Sequence, residues 1–270
     1  MKTFVITGAS DGIGAEMARQ LARSYGAGAA LVLAARNQQK LDAVAQQCRD
    51  SGAQALAVMT DVAQEAQCRA LIDKAMQAYG RIDVLVNNAG VSAQALFSDV
   101  RAQDLHWYED LMRVNFWGAL WCTHAALPHL KASRGGIVAV ASLAGLVGVP
   151  GRTAYSATKF AMSGFFEALR AELKAAGVAV TVAYPGVVAT QTRHRGYNAR
   201  GEAAGASGLR EDNAMSVEEC ARLIVAGMQA RKREVVMTSR GKLGRFMKLI
   251  APGAVEDMAL AALKDEVKPH

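Results

Sequence analysis

The chain has few of the residues that build cross-linked, zinc-bound or membrane-spanning proteins. Its four cysteines, Cys48, Cys68, Cys122 and Cys220, include no C-x-x-C pair. This spacing argues against a metal site and a disulfide framework and favours a reducing compartment, which we expect to be the cytoplasm. No run of about 18 apolar residues is present, so we expect no membrane span. Residues 2–6 run straight into a glycine-rich turn, unlike a secretory signal.

Aromatic residues are also scarce, at 6% of the chain, whereas hydrophobic residues make up 51%. A composition rich in Ala, Val and Gly suits helices packed closely against a buried parallel sheet. The formal net charge is +7, which can attract nucleic acid, anionic lipid or an anionic cofactor. The basic segments 193–210 and 231–248 lack the repeated aromatic residues that stack on bases. We therefore expect no nucleic-acid binding.

Strand-length apolar runs alternate with helical stretches along most of the chain. The predicted strands are 3–7, 30–34, 55–59, 82–86, 136–141, 178–184 and 234–237, and the helices between them include 13–24, 38–50, 63–79 and 155–176. This alternation implies a parallel sheet covered on both faces, and right-handed crossovers make it doubly wound. We predict an α/β Rossmann fold with a seven-stranded, mainly parallel sheet.

No domain boundary or repeat is evident, so residues 1–270 are interpreted as one domain. The segment Ser216-Val217-Glu218-Glu219 reads as a capping box that opens a further helix. Residues 191–214 lack periodicity and are rich in Gly, Ala and Arg, as a lid or a disordered loop would be. Residues 241–270 are expected to form a helical tail with a polar end.

A glycine-rich turn follows the first predicted strand and opens a helix. It reads Thr7-Gly8-Ala9-Ser10-Asp11-Gly12-Ile13-Gly14. Gly8 permits a sharp exit from the strand, while Gly12 and Gly14 allow close approach to a pyrophosphate and close helix–sheet packing. The helix N-terminus then offers free N–H groups to phosphates. An ordinary glycine-rich turn is the alternative.

The spacing G-x-x-x-G-x-G resembles the short-chain dehydrogenase/reductase family, and further matches follow in order to at least Thr190. They are Asp61-Val62, Asn87-Asn88-Ala89-Gly90 and Pro185-Gly186-Val187-Val188-Ala189-Thr190. The resemblance implies a set of cofactor-contacting residues: Gly8, Ser10, Asp11, Gly12, Ile13, Gly14, Asp61, Val62, Asn88, Ala89, Gly90, Tyr155, Lys159, Pro185, Gly186, Val188 and Thr190.

The end of the second strand bears on the choice of cofactor. NAD enzymes usually place Asp or Glu there to accept from the ribose 2′-OH. Here the strand ends Ala34-Ala35-Arg36-Asn37, without a carboxylate. Arg36 could instead clamp a 2′-phosphate through its planar guanidinium. We therefore expect NADP(H), although Arg36 could also simply point into water.

A Tyr-x-x-x-Lys pair supplies the candidate acid/base group. Tyr155 and Lys159 are four residues apart on a predicted helix and share one face. A free tyrosine has a pKa of about 10, and a nearby ammonium favours the phenolate. Ser142 follows the fifth strand, where it could donate to a substrate oxygen. In isolation, such a pair is more often an ordinary feature of a helix surface.

The resemblance to the family assigns roles to these side chains. It implies that Tyr155 is the acid/base, that Lys159 lowers its pKa and contacts the ribose, and that Ser142 donates to the substrate oxygen. Asn115 is implied to anchor a proton-relay water. The expected reaction is hydride transfer between NADP(H) and a carbonyl or secondary alcohol.

The substrate is less strongly indicated. Residues 143–152 are mostly apolar and, with 191–214, should wall the pocket, which favours a hydrophobic substrate if they do not merely pack the loop. Residues 242–253 resemble the C-terminal part of reductases related to 11β-hydroxysteroid dehydrogenases. Their mix of apolar and basic residues would suit a weak peripheral membrane contact. A helix closing the substrate side or a subunit interface is the alternative.

Assembly and rival functions complete the expectations. Trp117, Trp121 and His124 share a helix face, and the family commonly pairs the corresponding helices, so we expect a homodimer or homotetramer. The first rival is a 3-oxoacyl carrier-protein reductase whose basic loop meets an acidic partner. The second is a non-catalytic nucleotide-sensing protein, which would not need Tyr155 and Lys159 together.

Overall fold

The computed structural model describes residues 1–207, 209 and 214–263. Position 208, positions 210–213 and positions 264–270 lie outside this part of the chain. Arg210 of the basic loop and the polar end of the predicted tail therefore fall outside the described residues.

Seven strands form one sheet. They are β1 (Lys2–Thr7), β2 (Ala29–Ala35), β3 (Gln54–Met59), β4 (Val84–Asn87), β5 (Gly136–Val140), β6 (Ala179–Tyr184) and β7 (Glu234–Val236). Their order across the sheet is β3-β2-β1-β4-β5-β6-β7, and every neighbouring pair is parallel. All seven residues of β2 are buried, as expected of a strand covered on both faces. The predicted seven-stranded Rossmann fold is confirmed, with parallel pairing throughout.

Nine helices accompany the sheet within the described part of the chain. They are α1 (Gly12–Tyr25), α2 (Gln38–Asp50), α3 (Glu65–Tyr79), α4 (His106–Met112), α5 (Gly118–Ser133), α6 (Thr153–Glu172), α7 (Val217–Gln229), α8 (Ser239–Ile250) and α9 (Pro252–Ala261). None of these helices is long and apolar enough to cross a bilayer.

Two apolar clusters lie on opposite faces of the sheet. Phe4 points into the first, together with residues of α1, α2 and α7. Its neighbour Val5 points into the second, together with residues of α3, α5 and α6. Successive side chains of a strand face opposite sides, so the continuous apolar run of β1 supplies both layers of the core.

The predicted elements match the observed ones except at a few boundaries. Strand β4 begins at Val84 rather than residue 82, because the Asp83 carboxylate accepts the Thr3 backbone N–H at 2.8 Å. Helix α6 ends at Glu172, four residues early, and is followed by a turn containing Gly177 at a φ of +70°. The Ser216 half of the predicted capping box is confirmed, since the Ser216 Oγ accepts from the Glu219 N–H at 3.1 Å, whereas the Glu219 carboxylate accepts from Arg222 instead of from the Ser216 N–H.

The strand order reverses between β1 and β4. The chain moves outward from β1 to β3 and then returns to add β4 on the other side. In doubly wound sheets a crevice opens at this point, outside the carboxyl ends of the strands. The glycine-rich turn follows β1 and Asn88 follows β4, so both predicted motifs lie at this crevice.

Candidate active site

The turn between β1 and α1 depends on the absence of side chains at its glycines. Gly8 and Gly12 have φ values of +65° and +53°, a region that other residues rarely adopt. A Cβ at Gly14 would lie 2.4 Å from both the Gly8 carbonyl oxygen and the Asn88 Nδ2. Helix α1 can therefore start directly against the turn, with its first N–H groups facing the crevice.

The segment after β4 is hydrogen-bonded to that turn. The Asn88 side chain donates to the carbonyls of Thr7 and Gly8 at 3.0 and 3.2 Å. The Thr7 hydroxyl accepts from the backbone N–H groups of Asn88 and Ala89, both at 3.0 Å. These bonds explain physically why a Thr-Gly turn and an Asn-Ala-Gly segment occur together in the sequence.

A cleft of about 900 Å³ runs along this edge of the sheet, within the size range of ligand pockets. It is lined by nearly all the residues predicted to contact cofactor: Gly8, Ser10, Asp11, Gly12, Ile13, Arg36, Asp61, Val62, Asn88, Ala89, Gly90, Tyr155, Lys159, Pro185, Gly186, Val188 and Thr190. Gly14 lies behind the turn, packed on Gly8. Sequence reasoning thus predicted a set of residues that the fold brings together.

Three cations surround the end of the cleft nearest β2. Arg36 is exposed and forms no hydrogen bond or ion pair with any described residue. Lys40 Nζ lies 3.6 Å from the Asp11 carboxylate, and an Arg195 Nη donates to that carboxylate at 2.6 Å. Sequence reasoning singled out Arg36 but not Lys40, although Lys40 lies only four residues further along.

Asp11 is the carboxylate that pairs with Lys40 and Arg195. It caps α1 by accepting from the Gly12 N–H at 2.8 Å. Burial alone would raise the pKa of Asp11, but the bonds from Arg195 and Gly12 and the charge of Lys40 bring it below its ordinary value. Asp11 is therefore ionised, and it joins the phosphate-facing turn to the loop that carries Arg195.

Ser142, Tyr155 and Lys159 meet further along the cleft, beyond β5. The Ser142 side chain lies next to Tyr155, whose pKa it helps to lower, and accepts from the Ala144 N–H at 3.2 Å. Lys159 is buried, with its Nζ 5.7 Å from the centre of the Tyr155 ring and donating to the Val140 carbonyl at 2.9 Å. The predicted pair is thus not an ordinary surface feature.

The surroundings of Tyr155 favour its ionised form. Burial alone would raise the pKa of Tyr155, but the Lys159 ammonium, the Arg152 guanidinium and the Ser142 hydrogen bond together bring it below its ordinary value. Burial in turn lowers the pKa of Lys159, an effect that the neighbouring phenol partly offsets. A phenol next to two cations is suited to giving up and recovering a proton.

Asn115 lies behind the cleft wall rather than in it. It belongs to a π-helical turn, Arg113–Trp117, between α4 and α5. Its side chain accepts from the Val91 N–H at 2.8 Å and donates to the Val91 carbonyl and the Thr158 hydroxyl, both at 3.0 Å. The side chain is fully engaged with protein groups, so any role in anchoring a water remains a prediction. Its observed contacts fix the Val91 backbone to the helix of Tyr155.

The wall on the substrate side is mainly apolar. It includes Leu143, Val149 and Leu209, and Ala259 of helix α9 and Ala262 just after that helix add to it. The described residues of the loop 191–214 form no helix or strand. Two residues of the tail 241–270 thus line the substrate side, whereas none of residues 242–253 lines the cleft.

Arg152 is a residue of this wall that sequence reasoning did not single out. It directly precedes α6, is only 7% exposed, and places its guanidinium carbon 4.3 Å from the centre of the Tyr155 ring. The signal was a lone arginine at the end of an apolar segment, three residues before Tyr155.

The family comparison agrees with this geometry. A family model described as short chain dehydrogenase matches residues 2–200, about three quarters of the chain. The chain belongs to the short-chain dehydrogenases. This family consists of oxidoreductases that bind a nicotinamide cofactor, and the predicted resemblance is confirmed.

Relatives of this short-chain dehydrogenase include 11-beta-hydroxysteroid dehydrogenase A of Sesamum indicum. It is 36% identical over 94% of this chain and 73% of its own length. The 11-beta-hydroxysteroid dehydrogenase-like protein 4A of Arabidopsis thaliana is 41% identical over 69% of this chain. The match spans 61% of that Arabidopsis protein, so the chain does not represent its whole length.

Solved structures show the same fold. A short chain dehydrogenase/reductase from Burkholderia phymatum, in complex with NAD, is 26% identical with a TM-score of 0.79, covering 94% of each chain. An alcohol dehydrogenase from Thermococcus sibiricus, complexed with 5-hydroxy-NADP, has a TM-score of 0.74 at 24% identity, covering 87% of this chain and 94% of its own. One complex contains NAD and the other an NADP derivative.

The cleft of this short-chain dehydrogenase fits a nicotinamide dinucleotide. A Cβ at Gly90 would lie 3.2 Å from the Asn115 Oδ1 and 3.8 Å from the Lys159 Nζ. The glycine therefore leaves open the space in front of Lys159. The free N–H groups of α1 and the cations near β2 suit the phosphates at the other end.

Proposed function

We propose that this chain is an NADP(H)-dependent oxidoreductase that interconverts a carbonyl and a secondary alcohol on a hydrophobic substrate. The observation that carries the proposal is the meeting of Ser142, Tyr155 and Lys159 at one end of a cleft whose other end is rich in cations. The apolar wall formed by Leu143, Val149 and α9 supports a hydrophobic substrate.

The proposed chemistry divides between cofactor and protein. When bound, NADPH supplies the hydride for the carbonyl carbon. Tyr155 donates its phenolic proton to the substrate oxygen, and Ser142 donates a hydrogen bond to the same oxygen. The phenolate that remains is stabilised by the Lys159 ammonium, and alcohol oxidation reverses these steps. Asn115 acts as a positioning residue, because it joins the backbone of Val91 to α6.

The pKa of Tyr155 predicts a pH dependence of opposite sign in the two directions. Oxidation needs the phenolate, so kcat/KM should rise with pH and level off above the lowered pKa. Reduction needs the phenol, so kcat/KM should fall above it. In Lys159→Met the nearby ammonium is gone, so the rise of kcat/KM with pH for oxidation should shift to higher pH by roughly one unit or more.

These profiles are measured as kcat/KM against pH at saturating cofactor. Lys174→Met, which removes an exposed lysine, is the control and should leave the profile in place. A Lys159→Met enzyme with reduced activity but an unmoved profile would mean that Lys159 does not set the pKa of the acid/base.

The NADP(H) proposal is tested at Arg36. Arg36→Asp removes a cation and introduces a carboxylate that repels a 2′-phosphate but can accept from a 2′-OH. We expect the ratio of kcat/KM for NADPH to that for NADH to fall by about 100-fold, given roughly 1.5–3 kcal/mol for a hydrogen bond to a charged group. Parallel assays with both cofactors measure this ratio.

The matched control is Gln39→Asp, which adds a carboxylate at an exposed position of α2 that does not line the cleft. It should change the cofactor ratio by no more than about twofold, consistent with a small effect of exposed charges. A wild-type preference for NADH would reject the assignment of Arg36.

The contacts of the basic loop bear on the carrier-protein alternative. Arg195 pairs with Asp11, and an Arg193 Nη donates to the Val188 carbonyl at 2.8 Å. Both cations are thus engaged within this chain, which weakens their case as a docking surface for an acidic partner. We retain the small-molecule reaction as the proposal.

Assembly and location are further parts of the proposal. We propose a homodimer or homotetramer formed through α5 and the π-helical turn before it, because Trp117 of that turn is 43% exposed and stacks on Trp121 of α5 at 5.9 Å between ring centres. Exposed apolar residues of α8, including Phe246 and Leu249, lie among basic residues. They support a weak peripheral contact of a cytoplasmic protein with a membrane.

A further inference from the structure

Arg152 is a buried cation with an unusual set of partners. Its Nε donates to the Ala93 carbonyl at 3.2 Å, and one terminal nitrogen, Nη2, is hydrogen-bonded to the Ser92 hydroxyl. Both partners are neutral. No carboxylate among the described residues pairs with Arg152.

The second terminal nitrogen of Arg152, Nη1, remains available. It forms no hydrogen bond with the described residues. It is nevertheless absent from the fully buried polar atoms without a partner, so this atom keeps some accessible surface. Arg152 lines the cleft, so this nitrogen can be reached by a ligand. Arginine stays protonated in proteins and matches the two oxygens of a carboxylate.

The surroundings make this part of the cleft positive. The Arg152 guanidinium stacks on the Tyr155 ring, and the charge of Arg193 also acts on both side chains. The neighbouring wall residues Leu143 and Val149 carry no charge. Burying a cation without a counter-charge is unfavourable, and an arriving anion would relieve that cost.

We propose that Arg152 binds a carboxylate of the substrate, so that the substrate is a ketone or secondary alcohol with an apolar body and a carboxylate group. This inference rests on the proposed function, since it assumes that the reacting oxygen lies at Tyr155 and Ser142. It deepens that function by adding a negative charge to a substrate expected only to be hydrophobic.

The first test is a binding measurement that does not depend on turnover. The full chain, saturated with whichever of NADP⁺ or NAD⁺ it binds, is titrated calorimetrically with 4-phenylbutanoate and with its neutral analogue 4-phenylbutanamide. We expect the carboxylate to bind about 10-fold more tightly or better, as charged hydrogen bonds imply. Raising the salt concentration should weaken binding of the carboxylate and not of the amide.

Variants then assign the discrimination to Arg152. Arg152→Met should bring the ratio of the two dissociation constants to about twofold or less by weakening only the carboxylate. Arg152→Lys keeps the charge without the planar geometry, so its ratio of dissociation constants should lie between those of the wild-type chain and Arg152→Met. The control Arg222→Met removes an exposed arginine paired with Glu219 and should leave the ratio unchanged. Thermal melting confirms that the variants are folded.

A wild-type chain that binds the amide as tightly as the carboxylate overturns the proposal without any variant. So does discrimination that survives in a folded Arg152→Met chain, which would leave Arg152 only a support for Ser92 and Tyr155. Reduction of 4-oxo-4-phenylbutanoate and of its amide separates the two proposals. Equal turnover of both keeps the oxidoreductase and rejects the Arg152 site, whereas Arg152-dependent binding without turnover of either keeps the site and counts against the oxidoreductase.

Discussion

Replacing Tyr155 with phenylalanine is expected to lower kcat by about 10³-fold or more, within the range for loss of a general acid/base. Phe keeps the ring that stacks on Arg152 and removes only the hydroxyl next to Ser142. The dissociation constant of the cofactor should stay within about twofold, because general acid/base catalysis is required for the chemical step and not for binding. Steady-state kinetics and a fluorescence titration with NADPH measure the two quantities.

The control for this variant is Tyr79→Phe, which removes a hydroxyl at the end of α3, away from the cleft. It should leave kcat unchanged. Near-normal turnover in Tyr155→Phe would reject the catalytic assignment. Cofactor binding without turnover of any carbonyl compound in the wild-type chain would favour the nucleotide-sensing alternative.

Replacing Gly14 with alanine is expected to destabilise the chain and to abolish tight cofactor binding. The added Cβ would lie 2.4 Å from the backbone oxygen of Gly8, so either α1 or the turn must shift. Overpacking of this kind costs about 2–3 kcal/mol, which should lower the melting temperature by roughly 5–10 °C. The phosphate-facing N–H groups move with the turn.

Gly28→Ala is the matched control, because a Cβ there meets no atom within 4 Å. Its melting temperature and cofactor affinity should equal those of the wild-type chain within error. Differential scanning calorimetry and the same cofactor titration test both variants. A Gly14→Ala chain with unchanged stability would mean that the contact between α1 and the turn can relax without cost.

The parts of the fold that the sequence predicted best are those that local chemistry specifies. Buried parallel strands require continuous apolar runs, and the run of β2 was recognisable on that ground. The turn at Gly8 needs a residue free to adopt positive φ. The start of the helix at Val217 was predictable from Ser216, which caps it. Each signal lies within a few residues of the feature that it predicts.

Boundaries were missed where a contact from another strand overrides the local pattern. Strand β4 was expected from residue 82, but the Asp83 carboxylate accepts a hydrogen bond from the backbone N–H of Thr3, 80 residues away. The π-helical turn around Asn115 was likewise not predicted. Its side chain bonds to Val91 and Thr158, which approach only after the sheet has formed.

The sequence by itself determined the fold class, the glycine-rich turn and the pairing of Tyr155 with Lys159, because strand, turn and helix periodicity are local properties. Only the tertiary structure decided the electrostatics of the site. The buried position of Arg152 beside Tyr155 and the ion pair of Arg195 with Asp11 depend on side chains brought together by the sheet. Charge interactions depend on distance and burial, and neither quantity can be read from positions along a chain.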